Sequence, residues 1–462
     1  MHTMYILNCC VGVLFLVCYA YQLFYIAVAL IKKRRPCTAT EIVNHSFAVM
    51  ISARNEETVI GGLIESIKKQ DYPSELITIF VVADNCTDRT AAIAREAGAV
   101  VYERFDTDHV GKGYALDFLL DRINCDFAAD RFDAFFVFDA DNVLSPNYIT
   151  EMNRTYCDGY RILTSYRNSK NFGDNWISAG YALWFLREAK YLNNARMILG
   201  ISCAISGTGF MIDRRLLEDE NGHKGWRYFL LTEDIEFTAS SIIKGERIGY
   251  CDSAVFYDEQ PVKFRQSWDQ RMRWAKGYLQ VYAHYGRELF LGIFGRRHKD
   301  DTSGERRERS SRFSCFDMTM TTMPAMILSG LMCVADLIGS FVMLFGYGRW
   351  RDAALLFSMP IVNASILVFL VGLITTVTEW RNIHTRPAKK ILYAMTFPFF
   401  MLTYIPIAMA AVFKKVEWKP INHSKAVSLE EIHANGTESK ESDDSPRIDL
   451  TVVREARDNN EI

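Results

Sequence analysis

The stretch AFFVFDAD, residues 134–141, decides the fold of the chain. Its apolar run AFFVF predicts a short buried β-strand, and Asp139 and Asp141 follow where that strand ends. The stretch ITIFVVAD, residues 77–84, repeats the pattern and ends on Asp84. Two carboxylates at positions i and i+2 after a strand can share a hard divalent cation, although aspartates are also common in turns that bind no metal.

Strands and helices alternate around these two stretches. FAVMIS at 47–52 and the apolar residues 100–102 predict two further strands. Helical spacing of apolar residues between the strands predicts helices over 56–69, 87–98 and 115–122. This alternation predicts an α/β domain with a mostly parallel sheet, in which ligands bind at the carboxyl ends of the strands. The polar residues expected at those ends are Asn55, Glu56, Asp84, Asp139 and Asp141.

Later segments add candidate site residues. Glu233 and Asp234 precede a predicted helix, so Asp234 is either a general base or part of a helix cap. Gln270, Arg273 and Trp274 share one helix face, which suits a phosphate-binding cation beside an aromatic plane for a sugar. A solvated helix with a buried tryptophan gives the same pattern. In VGKGYAL, residues 110–116, the lysine can approach a phosphate, although the segment is too short for a Walker loop.

The ends of the chain predict membrane segments. Residues 1–31 contain no Asp, Glu, Lys or Arg, and basic residues follow at 32–35. This order predicts a stop-transfer anchor, with the chain after it in the cytoplasm. Three more apolar segments lie at 316–345, 353–377 and 391–413. Asp336, inside the first of them, is expected to face protein or water and not lipid.

Composition excludes some functions. The 53 Lys+Arg and 55 Asp+Glu residues leave a formal net charge of −2, which argues against nucleic acid as the main partner. The eleven cysteines show no CxxC spacing, which favours free thiols in a reducing compartment.

These patterns divide the chain into five expected parts. They are an N-terminal transmembrane anchor (1–35), a cytoplasmic α/β domain (42–275), a membrane-interface segment with a basic loop (276–313), a C-terminal transmembrane region (314–415) and a polar, disordered tail (416–462). For the interface segment, an ordinary helix packed on the soluble domain is an equal alternative.

From 47 to 274 the sequence resembles the membrane-embedded, processive family-2 glycosyltransferases, which include cellulose, β-glucan, hyaluronan, chitin and poly-N-acetylglucosamine synthases. That family's pattern is an Asp, a DxD, a [TE]D and a QxxRW. The corresponding residues here are Asp84, Asp139 with Asp141, Glu233 with Asp234, and Gln270, Arg273 and Trp274. The sequence departs from the family pattern at Ala83. Relatives often have two adjacent aspartates after the second strand, and here the first of these positions is Ala83 and the second is Asp84.

The resemblance implies a GT-A nucleotide-diphospho-sugar transferase domain between membrane helices, and it implies residue roles. Asp234 would be the catalytic base, and Asp139 and Asp141 would hold Mg²⁺ or Mn²⁺. Nucleotide-sugar binding would fall to Asn55, Glu56, Asp84, Lys112 and Asp139. The acceptor and diphosphate would contact Gly207, Thr208, Glu233, Gln270, Arg273 and Trp274.

The implied activity is inverting transfer from a UDP-sugar, with UDP-glucose favoured over UDP-N-acetylglucosamine. The product would be a growing β-linked polysaccharide that passes into the bilayer of the plasma membrane, with export partners unidentified. The element at 418–421, similar to one after the last span of some relatives, favours a cytoplasmic C-terminus. Three alternatives stay open: a non-processive enzyme with a lipid-linked acceptor, a transporter with a regulatory domain, and a scaffolding pseudoenzyme.

Overall fold

A computed structural model describes most of the chain. The described residues are 2–32, 39, 41–128, 130–218, 225–295, 312–322, 324–421, 423 and 425–437. The basic loop expected before 313 and the end of the tail, residues 438–462, fall largely or wholly outside them.

One mixed sheet organises the middle of the chain. Its described strands are β1 (Phe47–Ala53), β2 (Ile77–Asp84), β3 (Val100–Arg104), β4 (Ala134–Asp139), β5 (Val143–Leu144), β6 (Ile162–Ser169), β7 (Phe210–Asp213) and β8 (Ile248–Asp258). Their order across the sheet is β3-β2-β1-β4-β7-β6-β8-β5. The parallel half, β3-β2-β1-β4, contains the four strands expected from the sequence, which confirms those predictions.

The other half of the sheet differs from the expected parallel arrangement. β7 runs antiparallel to both β4 and β6, and β5 runs antiparallel to β8. Strand direction in this half is fixed by pairing between distant segments, such as Ala134 with Asp213. The short sequence FMID of β7 carries no information about that direction.

Helices cover both faces of the sheet and extend beyond it. The described helices are α1 (His2–Ile31), α2 (Ile60–Lys68), α3 (Thr90–Glu96), α4 (Lys112–Asp126), α5 (Tyr148–Cys157), α6 (Trp176–Arg187), α7 (Asn194–Leu199), α8 (Glu233–Ile243), α9 (Phe264–Ile293), α10 (Arg312–Thr322), α11 (Pro324–Phe341), α12 (Trp350–Thr378), α13 (Pro387–Leu402), α14 (Tyr404–Phe413) and α15 (Leu429–Thr437).

The core follows the two-residue period of the strands. In β1, Ala48 and Met50 join one apolar cluster, whereas Phe47, Val49 and Ile51 join the cluster on the opposite face. A strand buried on both faces has no polar alternation, which explains its continuous apolar sequence. The sheet is therefore a rigid platform whose strand ends hold their side chains in fixed positions.

Four helical segments in the described part are long and apolar enough to cross a membrane: Ile6–Ile31, Leu328–Gly346, Trp350–Thr378 and Pro387–Phe413. The expected segment 316–345 includes the end of α10, at Thr322, and α11, which begins at Pro324; residue 323 lies outside the described residues. Asp336 in α11 is 3% exposed, and its carboxylate accepts a hydrogen bond from Asn8 Nδ2 at 2.7 Å. The expectation that Asp336 faces protein is confirmed.

Two segments near the membrane helices differ from simple expectations. The segment from Gly277 onward continues α9, and its buried Val281 and Leu289 pack on Ile235 of α8. This geometry matches the alternative of a helix packed on the soluble domain. The tail expected to be disordered contains α15, whose Ile432 is 1% exposed.

A buried ion pair joins the sheet domain to α10. Arg196 of α7 binds Asp317 of α10 through Nε and Nη2 at 2.7 and 2.9 Å, and both side chains are nearly inaccessible. Tyr21 and Tyr25 of α1 each donate a hydroxyl hydrogen bond to the same carboxylate at 2.9 Å. Three separate parts of the chain therefore meet at one carboxylate.

Replacing Arg196 is expected to destabilise the protein strongly. Arg196→Met leaves Asp317 as an uncompensated buried charge, so the free energy of unfolding should fall by about 3–5 kcal/mol. Equilibrium denaturation in detergent measures the change. The matched control is Arg154→Met, because Arg154 pairs with Glu151 in a partly exposed i,i+3 contact and should cost less than about 1 kcal/mol. Equal effects of the two substitutions would contradict the structural role of Arg196.

Candidate active site

A cavity of about 1050 Å³ opens at the carboxyl ends of β1, β2 and β4. It brings together most residues predicted from the sequence, although they are far apart along the chain. The predicted site residues that line it are Glu56, Asp84, Lys112, Asp139, Asp141, Gly207, Glu233, Asp234, Gln270, Arg273 and Trp274.

The two aspartates after β4 are held by a hydrogen-bonded scaffold. The Asp139 backbone N–H donates to Thr208 Oγ1 at 2.8 Å, and Thr208 Oγ1 donates to Asn142 Oδ1 at 2.5 Å. Asp141 Oδ2 accepts from the backbone N–H of Glu259 at 2.8 Å. Thr208 is thus placed behind the cavity wall, where it fixes the turn after β4 and does not line the cavity.

Lys112 is the cation beside the first of these carboxylates. It begins α4, pairs with Asp139 and donates a second hydrogen bond to the carbonyl of Gly207 at 2.8 Å. An ammonium group held between two segments of the cavity wall suits a phosphate ligand.

The donor set suits a divalent cation that shares its ligands with a diphosphate. Within the described ranges, no three His, Cys, Asp or Glu side chains are grouped so that they could hold a metal ion alone. Asp139 and Asp141 supply hard oxygen ligands at the cavity edge, and Mg²⁺ is typically held by one or two carboxylates plus phosphate oxygens.

Asp84 and Glu56 are the acids at the β1–β2 side of the cavity. Asp84 accepts from Arg104 Nη1 at 2.7 Å in a buried ion pair. Burial raises the pKa of Glu56 to about 7, and the nearby His423 opposes that rise. Both side chains are therefore fixed by partners that the linear sequence does not reveal.

Asn55 is placed differently from the expectation. Its backbone adopts φ of 57°, in the left-handed region, and its side-chain Oδ1 accepts from the Thr87 N–H at 2.8 Å. Its side chain does not line the cavity. Asn55 joins the turn after β1 to the turn after β2, and it acts on the site only through that turn.

The buried Glu233 and the half-buried Asp234 form an acidic pair in the first turn of α8. The N-cap position belongs to Thr232, whose side chain makes no capping hydrogen bond, and the backbone N–H groups of Ile235 and of Asp234 itself act on the Asp234 carboxylate. Burial raises the pKa of Glu233 to about 7, with the charge of Asp234 adding to the effect. Burial likewise raises the pKa of Asp234, against the opposing charges of Lys112 and Arg273. A carboxylate with a raised pKa in a cavity is suited to accept a proton near neutral pH.

Gln270, Arg273 and Trp274 lie on the cavity face of α9, as their spacing predicts. Arg273 Nη1 donates to the Leu231 carbonyl at 2.9 Å, and Gln270 Oε1 is buried without a hydrogen-bond partner. The Trp274 ring meets Tyr181 edge-on, with centroids 5.7 Å apart. This face therefore presents a guanidinium, an unsatisfied amide oxygen and an aromatic ring to the cavity.

The far end of the cavity is apolar and lies between the candidate membrane helices. Its walls come from α1, α11, α12 and α14. They include Val11, Phe15, Leu16, Leu23, Leu328, Met332, Leu367, Val371, Ile405 and Ala408. One continuous cavity thus connects the carboxylates to apolar walls supplied by the candidate membrane helices.

A C-terminal strap, residues 415–421, 423 and 425–428, crosses the polar end of the cavity. Arg54 faces the Trp418 ring at 5.3 Å, and His423 Nδ1 lies 2.9 Å from Glu56 Oε1. Burial lowers the pKa of His423, but the charges of Asp141 and Glu56 outweigh that effect and raise it to about 10. Lys425 donates its backbone N–H to Glu259 Oε2 at 3.0 Å.

Sequence patterns missed several cavity residues. Arg167 and Asp258 form a buried pair at the ends of β6 and β8, and a strand-end acid was an available signal for Asp258. Glu188 and His423 also line the cavity. No local pattern marks either of these two, because their positions depend on how distant helices and the strap pack.

Comparison with known proteins matches the sequence of the α/β domain to a family. Residues 45–277 match the family described as "Glycosyltransferase like family 2". "Probable glycosyltransferase YdaM" of Bacillus subtilis is 27% identical over 267 residues, covering 53% of this chain and 57% of that protein. The beta-monoglucosyldiacylglycerol synthase of Synechocystis is 26% identical over 259 residues, covering 55% and 52%. The chain thus spans between half and three-fifths of the length of these relatives.

A mannosyltransferase from Pyrobaculum calidifontis, solved with GDP-Man and Mn²⁺, aligns over 87% of this chain and 98% of its own, with 15% identity and a TM-score of 0.49. The mixed sheet, the acids at its strand ends and the family match over half of the chain agree with one another. The chain therefore belongs to glycosyltransferase family 2, with a GT-A fold flanked by candidate membrane helices.

Proposed function

We propose that this protein transfers a sugar from a UDP-sugar to a hydroxyl of a membrane lipid, with inversion at the anomeric carbon. One observation carries the proposal: a single cavity runs from the acidic strand ends to apolar walls between the candidate membrane helices. A polar donor and an apolar acceptor can therefore reach the same carboxylate from opposite ends.

The polar end suits a nucleotide diphosphate. Asp139 and Asp141 would hold Mg²⁺ or Mn²⁺ there, and that ion would neutralise charge on the departing diphosphate. Lys112 and Arg273 add fixed positive charge from two further elements. Glu56 and Asp84 would lie beside the nucleoside, whose ribose hydroxyls donate hydrogen bonds to carboxylates.

Asp234 is the proposed base. It lies beside Gly207, where an added Cβ would stand 3.9 Å from its Oδ2, so the glycine leaves room for an acceptor to approach. Removal of the acceptor hydroxyl's proton by Asp234 allows one direct displacement at the anomeric carbon. The oxygen–carbon bond forms as the bond to UDP breaks, and an α-linked donor gives a β-linked product.

The apolar end favours a lipid acceptor over a long polysaccharide. Sugar chains present hydroxyls on all sides, which an aliphatic wall cannot satisfy, and burying unpaired hydroxyls is costly. An acyl chain, in contrast, matches the wall chemically. The relative named beta-monoglucosyldiacylglycerol synthase has a name that specifies a glucosylated lipid, which supports the same class of acceptor.

A processive polysaccharide synthase is the second candidate. Gln270, Arg273 and Trp274 support it, because an aromatic ring beside the phosphate-binding cation can hold the end of a sugar chain. In either case the four candidate spans support a multi-pass membrane protein. The basic residues at 32–35, after the first span, support a cytoplasmic α/β domain, residues 42–275.

Purified protein in nanodiscs distinguishes the two candidates. It is incubated with radiolabelled UDP-glucose or UDP-N-acetylglucosamine, Mn²⁺ or Mg²⁺, and either dioleoylglycerol or no added lipid. We expect label in an organic-phase product that carries a small, fixed number of sugars. Label in a long polymer cleaved by a β-glucan- or chitin-specific hydrolase would replace the lipid proposal by the processive one.

Truncation of Trp274 is expected to weaken the acceptor step more than the donor step. Trp274→Ala removes a ring that lines the cavity, and the loss of apolar contact should cost about 1–3 kcal/mol. The measurement compares UDP affinity, UDP release to water and acceptor labelling, together with product length where a polymer forms.

Trp226→Ala is the control for a core defect, because Trp226 is 1% exposed. That variant should lose UDP binding together with activity. A folded Trp274→Ala protein with normal acceptor labelling and normal product length would remove Trp274 from the acceptor site.

A further inference from the structure

Glu188 is an acid in the cavity wall to which the proposed chemistry gives no role. It starts a π-helical turn, Glu188–Asn193, between α6 and α7. Such turns displace side chains from the regular helical register and are frequent at functional sites. Trp184, Phe185 and Arg187 from the end of α6 line the same cavity. The turn therefore places a carboxylate in the cavity wall, next in sequence to residues of α6 that also line it.

The position of Glu188 relative to the proposed base follows from two adjacent residues. Ser206 Oγ donates to Glu188 Oε1 at 2.5 Å, and the next residue, Gly207, faces Asp234 Oδ2. The two consecutive residues Ser206 and Gly207 thus connect the two carboxylates, which line the same cavity. After burial, the charges of Glu188 and Asp234 both raise the pKa of Tyr278, which also lines the cavity.

Charge and hydrogen bonding restrict what Glu188 can bind. Among the ion pairs of the described residues, none includes the Glu188 carboxylate, although burial lowers the pKa of the adjacent Arg187 and the charge of Glu188 opposes that effect. The adjacent Arg187 instead donates to Gln22 Oε1 at 2.6 Å. An ionised carboxylate accepts up to about four hydrogen bonds and donates none, and a single hydroxyl from Ser206 leaves most of that capacity open. A phosphate would be repelled, whereas hydroxyl groups would be bound.

From this arrangement we infer that Glu188 is an acceptor-positioning residue that binds hydroxyls adjacent to the one attacked through Asp234. The preferred acceptor headgroup is accordingly a polyol, such as the sugar of a glycolipid, and the lone hydroxyl of a diacylglycerol is a weaker acceptor. Trp274 lines the same cavity and supplies an aromatic ring to it. This inference rests on the proposed function and narrows its acceptor class.

The experiment uses the full chain in nanodiscs with radiolabelled UDP-glucose and UDP-N-acetylglucosamine in parallel, in the presence of Mn²⁺. Three acceptors are compared: dioleoylglycerol, its β-glucoside and a soluble β-linked glucose tetramer. Glu188→Gln keeps the size of the side chain and an oxygen for Ser206, so its fold should persist. Wild-type UDP affinity of the variant would show that it is folded. Glu65→Gln on the exposed face of α2, away from the cavity, is the matched control.

The expected result for Glu188→Gln is a KM for the glucolipid raised roughly ten- to a hundredfold, as befits loss of hydrogen bonds to a charged group. Its kcat should change less than about threefold, and its KM for dioleoylglycerol less than about twofold, because the single hydroxyl of that lipid is the one attacked and no second hydroxyl is left for Glu188 to bind. A purely structural Glu188 would alter both acceptors equally.

Equal effects on the two lipids, no effect on either, or wild-type use of dioleoylglycerol but not of its glucoside would each overturn the role of Glu188. A wild-type protein that extends only the soluble tetramer would instead refute the lipid acceptor. In that case the tetramer is used to test Glu188. The inference holds if Glu188→Gln raises the KM for the tetramer roughly ten- to a hundredfold with kcat changed less than about threefold, and it fails if that KM is unchanged. Failure of the proposed function and failure of this inference are therefore distinguishable.

Discussion

Asp234→Asn is expected to lower sugar transfer by about 10²–10⁴-fold while UDP binding stays near the wild-type value. The amide has nearly the same shape as the carboxylate but cannot take a proton from the acceptor hydroxyl. The measurement pairs turnover with UDP affinity on the same purified protein. In the wild type, burial raises the pKa of Asp234, and the base must be deprotonated to act. Turnover should therefore rise with pH through the acidic range and then level off.

Glu236→Gln is the matched control for this substitution. Glu236 lies in the same turn of α8 and is buried, but its carboxylate accepts from the Leu230 N–H at 2.9 Å and does not line the cavity. We expect its turnover to stay within a few-fold of wild type. If Asp234→Asn loses UDP affinity but retains substantial turnover, Asp234 is a nucleotide ligand and the base is another group.

Asp141→Asn is expected to reduce transfer by about a thousandfold or more, and EDTA should abolish wild-type activity until Mn²⁺ or Mg²⁺ is added back. The loss corresponds to the several kcal/mol that a metal ion typically supplies to a departing diphosphate, about 4 kcal/mol for a thousandfold. An asparagine oxygen can still accept from the Glu259 N–H, so the turn after β4 should be retained.

Asp121→Asn, on the exposed side of α4, controls for the removal of a negative charge. The metal itself is measured by titrating Mn²⁺ into UDP-bound wild-type and variant protein. If the Asp141→Asn variant turns over at the wild-type rate in excess chelator, Asp139 and Asp141 do not form a metal site.

The parts of the site that local patterns predicted are those that local structure determines. Asp84, Asp139 and Asp141 follow buried strands of a parallel sheet, so their convergence depends only on recognising the strands. Gln270, Arg273 and Trp274 share a helix face because of helical periodicity alone. Neither inference needs any knowledge of distant contacts.

The parts that local patterns did not predict depend on long-range packing or on backbone geometry. Asn55 is predicted to bind the nucleotide, but its backbone is left-handed and its side chain accepts a hydrogen bond from Thr87. His423 is separated from Glu56 by most of the chain, and Glu188 enters the cavity through a π-helical turn. The direction of β7 likewise results from pairing across the sheet. None of these features leaves a periodic signal in the sequence.

The first helix has a consequence for how the protein can be re-engineered. Val11, Phe15, Leu16 and Leu23 of α1 form part of the cavity wall, and a side chain at Gly12 would project into open space there. α1 is therefore not an exchangeable membrane leader. A chimera that carries a different leader of equal hydrophobicity would still insert, but it would present a different contour to the apolar end of the substrate. Under the proposed function, the first thirty or so residues help to determine which acyl-chain length and unsaturation the protein prefers. Domain-swap libraries that use one common first segment would lose this preference.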